Sequence, residues 1–178
     1  MSKAMALILT VFMIFVSIPV FSMNIESQKR FNQIMGMTLD KLGNASASLM
    51  KRERPETNWR TYKFPKYVFE NQATEMSYKV SVIKPELLGI VDIHEENKVI
   101  PCYCTCEEFG HKNLLYCFYK DGEIKNGFDE HGAQCLICIR QALLAFLWND
   151  LGATHAEIMI GMKEKFAPVI EKYHQHEH

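Results

Sequence analysis

Residues 129–152 read DEHGAQCLICIRQALLAFLWNDLG. Asp129 is placed as an N-cap, and Gly152 as the C-terminal stop, of one long helix that ends near Leu151. Directly after it, Thr154 caps a last helix, THAEIMIGMKEKFAPVIEKY, with Glu157 completing a capping box. Pro168 is expected to bend or interrupt that helix late. On the other side, residues 101–128 carry turn signals at Gly110, Asp121-Gly122 and Asn126-Gly127, with no long periodic run. Irregular structure is predicted there, and something must hold it in place. Further upstream, Met76, Val80 and Ile83 predict a helix over 73–83. Pro85 closes it or opens the next turn, and Leu87, Leu88, Ile90 and Val91 continue as a second short helix. The aromatic run TYKFPKYVF at 61–69 could be extended, but Pro65 restricts it to an edge or a loop. Lys51-Arg-Glu-Arg-Pro55 reads as a linker. Ile25, Phe31, Ile34, Met35, Leu39 and Leu42 fall on one face of a helix over 24–43, which Gly43 and Asn44 stop. The expected fold is mainly α, a small helical domain with an irregular Cys/His-rich loop between helices.

The chain has 178 residues, 48% of them hydrophobic and 23% charged, which is ordinary globular usage and excludes disordered, collagen-like and low-complexity classes. A net charge of -1 gives no reason to expect nucleic acid as a partner. Charge is unevenly spread: through Lys66 there are 10 Lys+Arg against 4 Asp+Glu, and beyond it 10 against 17. The acidic part also carries all 6 Cys and all 7 His. At the N-terminus, Lys3 precedes an uncharged run from Ala4 to Ile25 containing ALILTVFMIFV. This pattern predicts a secretory signal peptide over 1–22, cleaved after Ser22; the alternative is an uncleaved anchor that associates with a membrane. Either way an extracytoplasmic location, periplasmic or secreted, is expected. The remaining chain divides into an N-terminal helical segment and linker (23–60), a Cys/His-rich helical domain (61–173) and a His-containing tail (174–178).

Chemistry concentrates between Pro101 and Cys138, where Cys102, Cys104, Cys106, Cys117, Cys135 and Cys138 stand with His111 and His131. His131, Cys135 and Cys138, four and three positions apart, would share one stripe of a helix. Its N-terminal position favours thiolate over thiol. Cys102, Cys104 and Cys106 alternate, so an extended segment would turn their sulfurs to one side. Neighbours so placed are badly arranged to bridge each other but well arranged to converge on ions. A thiolate-rich site with a few imidazoles selects Cu(I) first and Zn(II) next. Other arrangements stay open: three structural disulfides, a structural zinc site, or a dithiol redox centre at Cys135 and Cys138. Ile139 after Cys138 excludes covalent haem attachment. There is no GxSxG, HExxH, P-loop or dinucleotide motif, and no residue commends itself as a general base. His174, His176 and His178 read as a solvated tail.

The stretch resembles a family of extracytoplasmic bacterial proteins named for the motif Pro-Cys-Tyr-Cys-Gly-Cys, here Pro101-Cys102-Tyr103-Cys104-Thr105-Cys106. The likeness runs on through Gly110-His111-Lys112, Cys117-Phe118, Asp129, His131-Gly132, Cys135 and Cys138. It is close over 100–140 and looser over 85–173. Thr105 replaces the motif's glycine, which costs backbone freedom but no ligand. Many members resemble lipoproteins, whereas the signal segment here contains no cysteine, which favours a free periplasmic or secreted form. Together these features predict a soft-metal-binding protein that sequesters or carries Cu(I), with a metal-delivery protein as partner. The competing readings are a thiol-disulfide oxidoreductase using Cys135 and Cys138, and a disulfide-stabilised interaction domain.

Overall fold

A helix that is apolar on every side has to be buried on every side. Leu136–Asp150 is such a helix: Cys138, Ile139 and everything from Gln141 to Trp148 are buried. The other elements wrap around it. The computed structural model describes residues 25–89, 100–106 and 110–174. Six α-helices run through them: α1 (Ile25–Met35), α2 (Leu39–Glu53), α3 (Gln72–Ile83), α4 (His131–Gln134), α5 (Leu136–Asp150) and α6 (His155–His174). Short 3-10 turns join them. Among the described residues there is no strand, only an isolated antiparallel bridge between Tyr119 and Phe128. The fold is mainly α, with an irregular Cys/His-rich segment between α3 and α4, as the sequence predicts. The expected signal or anchor at 1–22, and His176 and His178 of the tail, lie outside the described residues, as do Ile90 and Val91. Among the described residues no helix is long and apolar enough to cross a membrane.

Helices α2, α3 and α5 pack against one another and form the core, with α1 and α6 laid on α5. Phe31 of α1 stacks on Trp148 of α5 at 4.3 Å between ring centroids. The sequence predicts a helix ending at Gly43-Asn44, but the chain breaks earlier, at residues 36–38, and α2 runs straight through both. Thr38 restarts it, its side chain accepting a hydrogen bond from Lys41 N at 3.4 Å. Gly43 is an approach residue rather than a stop: a Cβ there would lie 3.0 Å from Cα of Ala73, so glycine lets α2 and α3 approach this closely without a shift. Lys51, Arg52 and Glu53, read as linker, are the last turn of α2, and Arg52 pairs with Asp150 at 2.6 Å.

The aromatic run folds as two 3-10 turns, Trp59–Tyr62 and Lys66–Phe69, around an extended Pro65. Helix α3 starts where Asn71 accepts from Thr74 N at 2.9 Å, and Pro85 opens the 3-10 turn that follows. The capping box of α6 is present: Glu157 Oε2 accepts from Thr154 N at 2.7 Å, and Thr154 Oγ1 from Glu157 N at 3.3 Å. Pro168 lies inside α6, which continues past it. The single long helix over 129–151 is the main departure. Cys135 takes φ -111 and ψ 103, outside helical space, and divides it into one turn of α4 and the long α5.

Candidate metal centre

The Pro101–Cys106 segment is fastened to α5 by one buried side chain. Gln141 lies one turn beyond Cys138; its Oε1 accepts from Tyr103 N at 3.2 Å, and its Nε2 donates to Pro101 O at 3.0 Å. The peptide groups on either side of Cys102 are thus satisfied away from water, and its sulfur is held over α5. The segment is not extended. Thr105 adopts φ +62, which turns the chain, and Cys104 and Cys106 are joined as a disulfide with Cα atoms 5.4 Å apart. The expectation that these neighbours are badly arranged to bridge fails because it assumed a strand. The left-handed residue between them removes the alternation.

Two further segments close the site. His111 N donates to Cys106 O at 3.1 Å. Asn113 caps the 3-10 turn Leu114–Cys117 by accepting from Leu115 N at 3.0 Å, which sets Cys117 beneath Cys102. Helix α4 brings His131. Asp129 Oδ1 accepts from His131 N at 2.8 Å, and the Tyr78 hydroxyl of α3 donates to Asp129 O at 2.5 Å. Asp129 therefore orients the backbone of His131. A Cβ on Gly132 would lie 2.5 Å from Cys117 O, so glycine is what admits α4 to this position.

The ligand atoms form a continuous knot. Cys102 Sγ lies 2.9 Å from Cys104 Sγ, 3.2 Å from Cys117 Sγ and 3.6 Å from Cys138 Sγ. Cys138 Sγ lies 3.6 Å from Cys104 Sγ and 3.2 Å from Cys117 Sγ. Five edges of a sulfur tetrahedron are therefore short. Cys106 Sγ is 3.0 Å from His131 Nε2, and the His111 and His131 rings stand 4.7 Å apart. Three groups have all their ligand atoms within 4.8 Å of one another: Cys102, Cys104, Cys117 and Cys138; Cys104, His131, Cys135 and Cys138; and Cys106, His111 and His131. The sequence-nominated residues Cys102, Cys104, Cys106, His111, Cys117, His131, Cys135 and Cys138 all take part. His131 and Cys138 meet across the break at Cys135, not along one helix. Gln141, Gly132 and Asn113 carry no ligand chemistry and no sequence signal nominates them, although Gly132 follows His131 directly.

Burial and charge set the thiols apart. Hydrogen bonds from Cys117 and Cys138 hold Cys102 far below the ordinary thiol range, and the same contacts push Cys117 and Cys138 up. One negative charge thus sits naturally among the three sulfurs. Cys135, half-buried, is lowered to about 6 by the Cys138 thiol and by backbone N–H groups at the start of α5. Burial, then the nearby His131, lowers His111 and favours its neutral, ligating form.

Fold and site together define a small all-helical protein whose Cys/His groups could hold a metal ion. Residues 45–173 match the family described as a protein of unknown function with PCYCGC motif, and the chain belongs to that family. The match begins well before residue 85, taking in most of α2 and all of α3, the two helices that pack on α5. No curated protein and no solved structure is significantly similar to the chain.

Proposed function

We propose that this is an extracytoplasmic protein that sequesters or carries Cu(I) through its Cys/His cluster. The observation that carries the reading is the sharing of ligands: Cys104 and Cys138 each belong to both sulfur-rich groups. Bridging thiolates of this kind suit several low-coordinate soft ions, and soft sulfur selects Cu(I), with Zn(II) next. Each group includes Cys104 or Cys106, so the site binds when that disulfide is reduced. The partly exposed Cys104, Cys135, His111 and His131 give an ion, or a delivery protein, a route to the buried sulfurs.

The test is anaerobic titration of the reduced chain against a competing Cu(I) chelator. More than one Cu(I) should bind per chain, and Cys135→Ser should lower retention. Binding no tighter than in a variant with all six cysteines changed to serine rejects the copper reading.

A second reading rests on Cys135 and its neighbour Cys138. A half-exposed, low-pKa cysteine at a helix start, followed by a buried Cys138, has the geometry of a dithiol oxidoreductase. Insulin-reduction turnover abolished by Cys135→Ser would put that reading first.

A further inference from the structure

The eight ligands change character with depth. Cys102, Cys117 and Cys138 are at most 4% exposed, and with Cys104 they offer sulfur alone. The third group offers one sulfur, Cys106, and two imidazoles, His111 and His131, both half-buried and reachable from solvent. Its members are fixed by bonds of their own. The His111 backbone N–H is tied to the Cys106 carbonyl at 3.1 Å. His131 is held through Asp129, which Tyr78 anchors to α3. Imidazole with a single thiolate suits a borderline divalent ion better than Cu(I), and three protein ligands leave a fourth position open.

We propose that Cys106, His111 and His131 form a second site at the rim of the thiolate cluster, which takes a borderline divalent ion such as Zn(II) with one open coordination position; His131, also within reach of Cys104, Cys135 and Cys138, serves this outer ion. The proposal rests on the metal-binding reading above and divides its ligands into two metals' worth. The inner sulfurs hold Cu(I). The outer triad holds an ion that exchanges with solvent, because two of its three ligands are accessible. His111 and Cys106 belong to the outer group alone, and His111, which takes no part in the disulfide, is the residue that separates the two sites. Its Nδ1 also lies 3.7 Å from Cys117 Sγ, so the alternative is that it completes the copper cluster.

The experiment uses the full reduced chain under anaerobic conditions, first loaded with Cu(I) to the end of its tight phase. Co(II), a coloured stand-in for Zn(II), is then titrated in. The loaded wild type should take up Co(II) with the visible absorption of a tetrahedral site. His111→Ala should weaken that uptake at least tenfold and leave the Cu(I) count per chain unchanged. If the Cu(I)-loaded chain takes up no Co(II), or if His111→Ala lowers the Cu(I) count, the outer site does not exist and the copper reading stands without it. If the wild type retains neither ion, the metal-binding reading fails first.

Discussion

Thr105 holds φ +62, a conformation that costs a β-branched side chain strain and costs glycine none. Strain of this kind amounts to roughly 1–3 kcal/mol, and the greater freedom of glycine in the unfolded chain returns about 0.5–1 kcal/mol. Thr105→Gly is therefore expected to raise the unfolding free energy of the reduced protein by about 1 kcal/mol, read by urea denaturation. A loss of stability would mean that the threonine side chain contributes more than its backbone costs. Cys135 gives a pH prediction. Its thiol is lowered to about 6, well below the ordinary thiol range, and thiolate is the reactive form. In reduced, metal-free protein, its alkylation by iodoacetamide should rise with a midpoint near pH 6. An acid whose pKa falls on folding stabilises the fold above its unfolded value, so this contribution is present near pH 9 and is lost as pH drops through about 6. A midpoint at the ordinary thiol value would remove the claim that the start of α5 activates Cys135.

At the scale of elements, the signals that the sequence carries locally are the ones that hold. The α6 capping box and the period of α3 involve residues three or four apart, and both are present. The break at Cys135 has no glycine or proline to announce it, and the continuation of α2 through Gly43 is decided by Ala73 of another helix. The eight candidate ligands were legible because few other reasons gather so many thiols and imidazoles. Their grouping was not, because Cys102 and Cys138, 36 residues apart in sequence, meet only in the folded chain. The supports are testable. Gln141→Leu takes the hydrogen-bond partner from the part-buried Tyr103 N–H and Pro101 C=O, a loss of about 1–3 kcal/mol in stability. Because the freed segment carries Cys102, Cu(I) affinity should fall with it; stability loss at unchanged affinity would make Gln141 a fold residue only. Gly132→Ala forces a methyl against Cys117 O and should destabilise by roughly 1–3 kcal/mol, seen as a lower urea midpoint. An unchanged midpoint would mean that α4 can shift without cost.

Across the whole molecule, the ligands come from residues 102–106, 111–117 and 131–138, three segments that meet only in the folded chain. An ion that needs all three binds the native state more tightly than the unfolded one, so it stabilises by mass action, by at most about 2.7 kcal/mol at a free concentration 100 times Kd. The disulfide makes this stabilisation conditional. Cys104 serves the two sulfur-rich groups and Cys106 serves the third, so the single Cys104–Cys106 bond takes one ligand from each. Reduction supplies two electrons to that bond and returns both thiols; reoxidation by a disulfide such as oxidised glutathione takes them back. Parallel melting of the reduced and oxidised chains, each with and without Cu(I) under anaerobic conditions, separates the outcomes. The reduced chain should melt higher with Cu(I), and the oxidised chain should gain little, because each group is one ligand short. Equal gains in the two states would mean that Cu(I) does not need Cys104 or Cys106, and the shared-ligand arrangement would then have no part in binding.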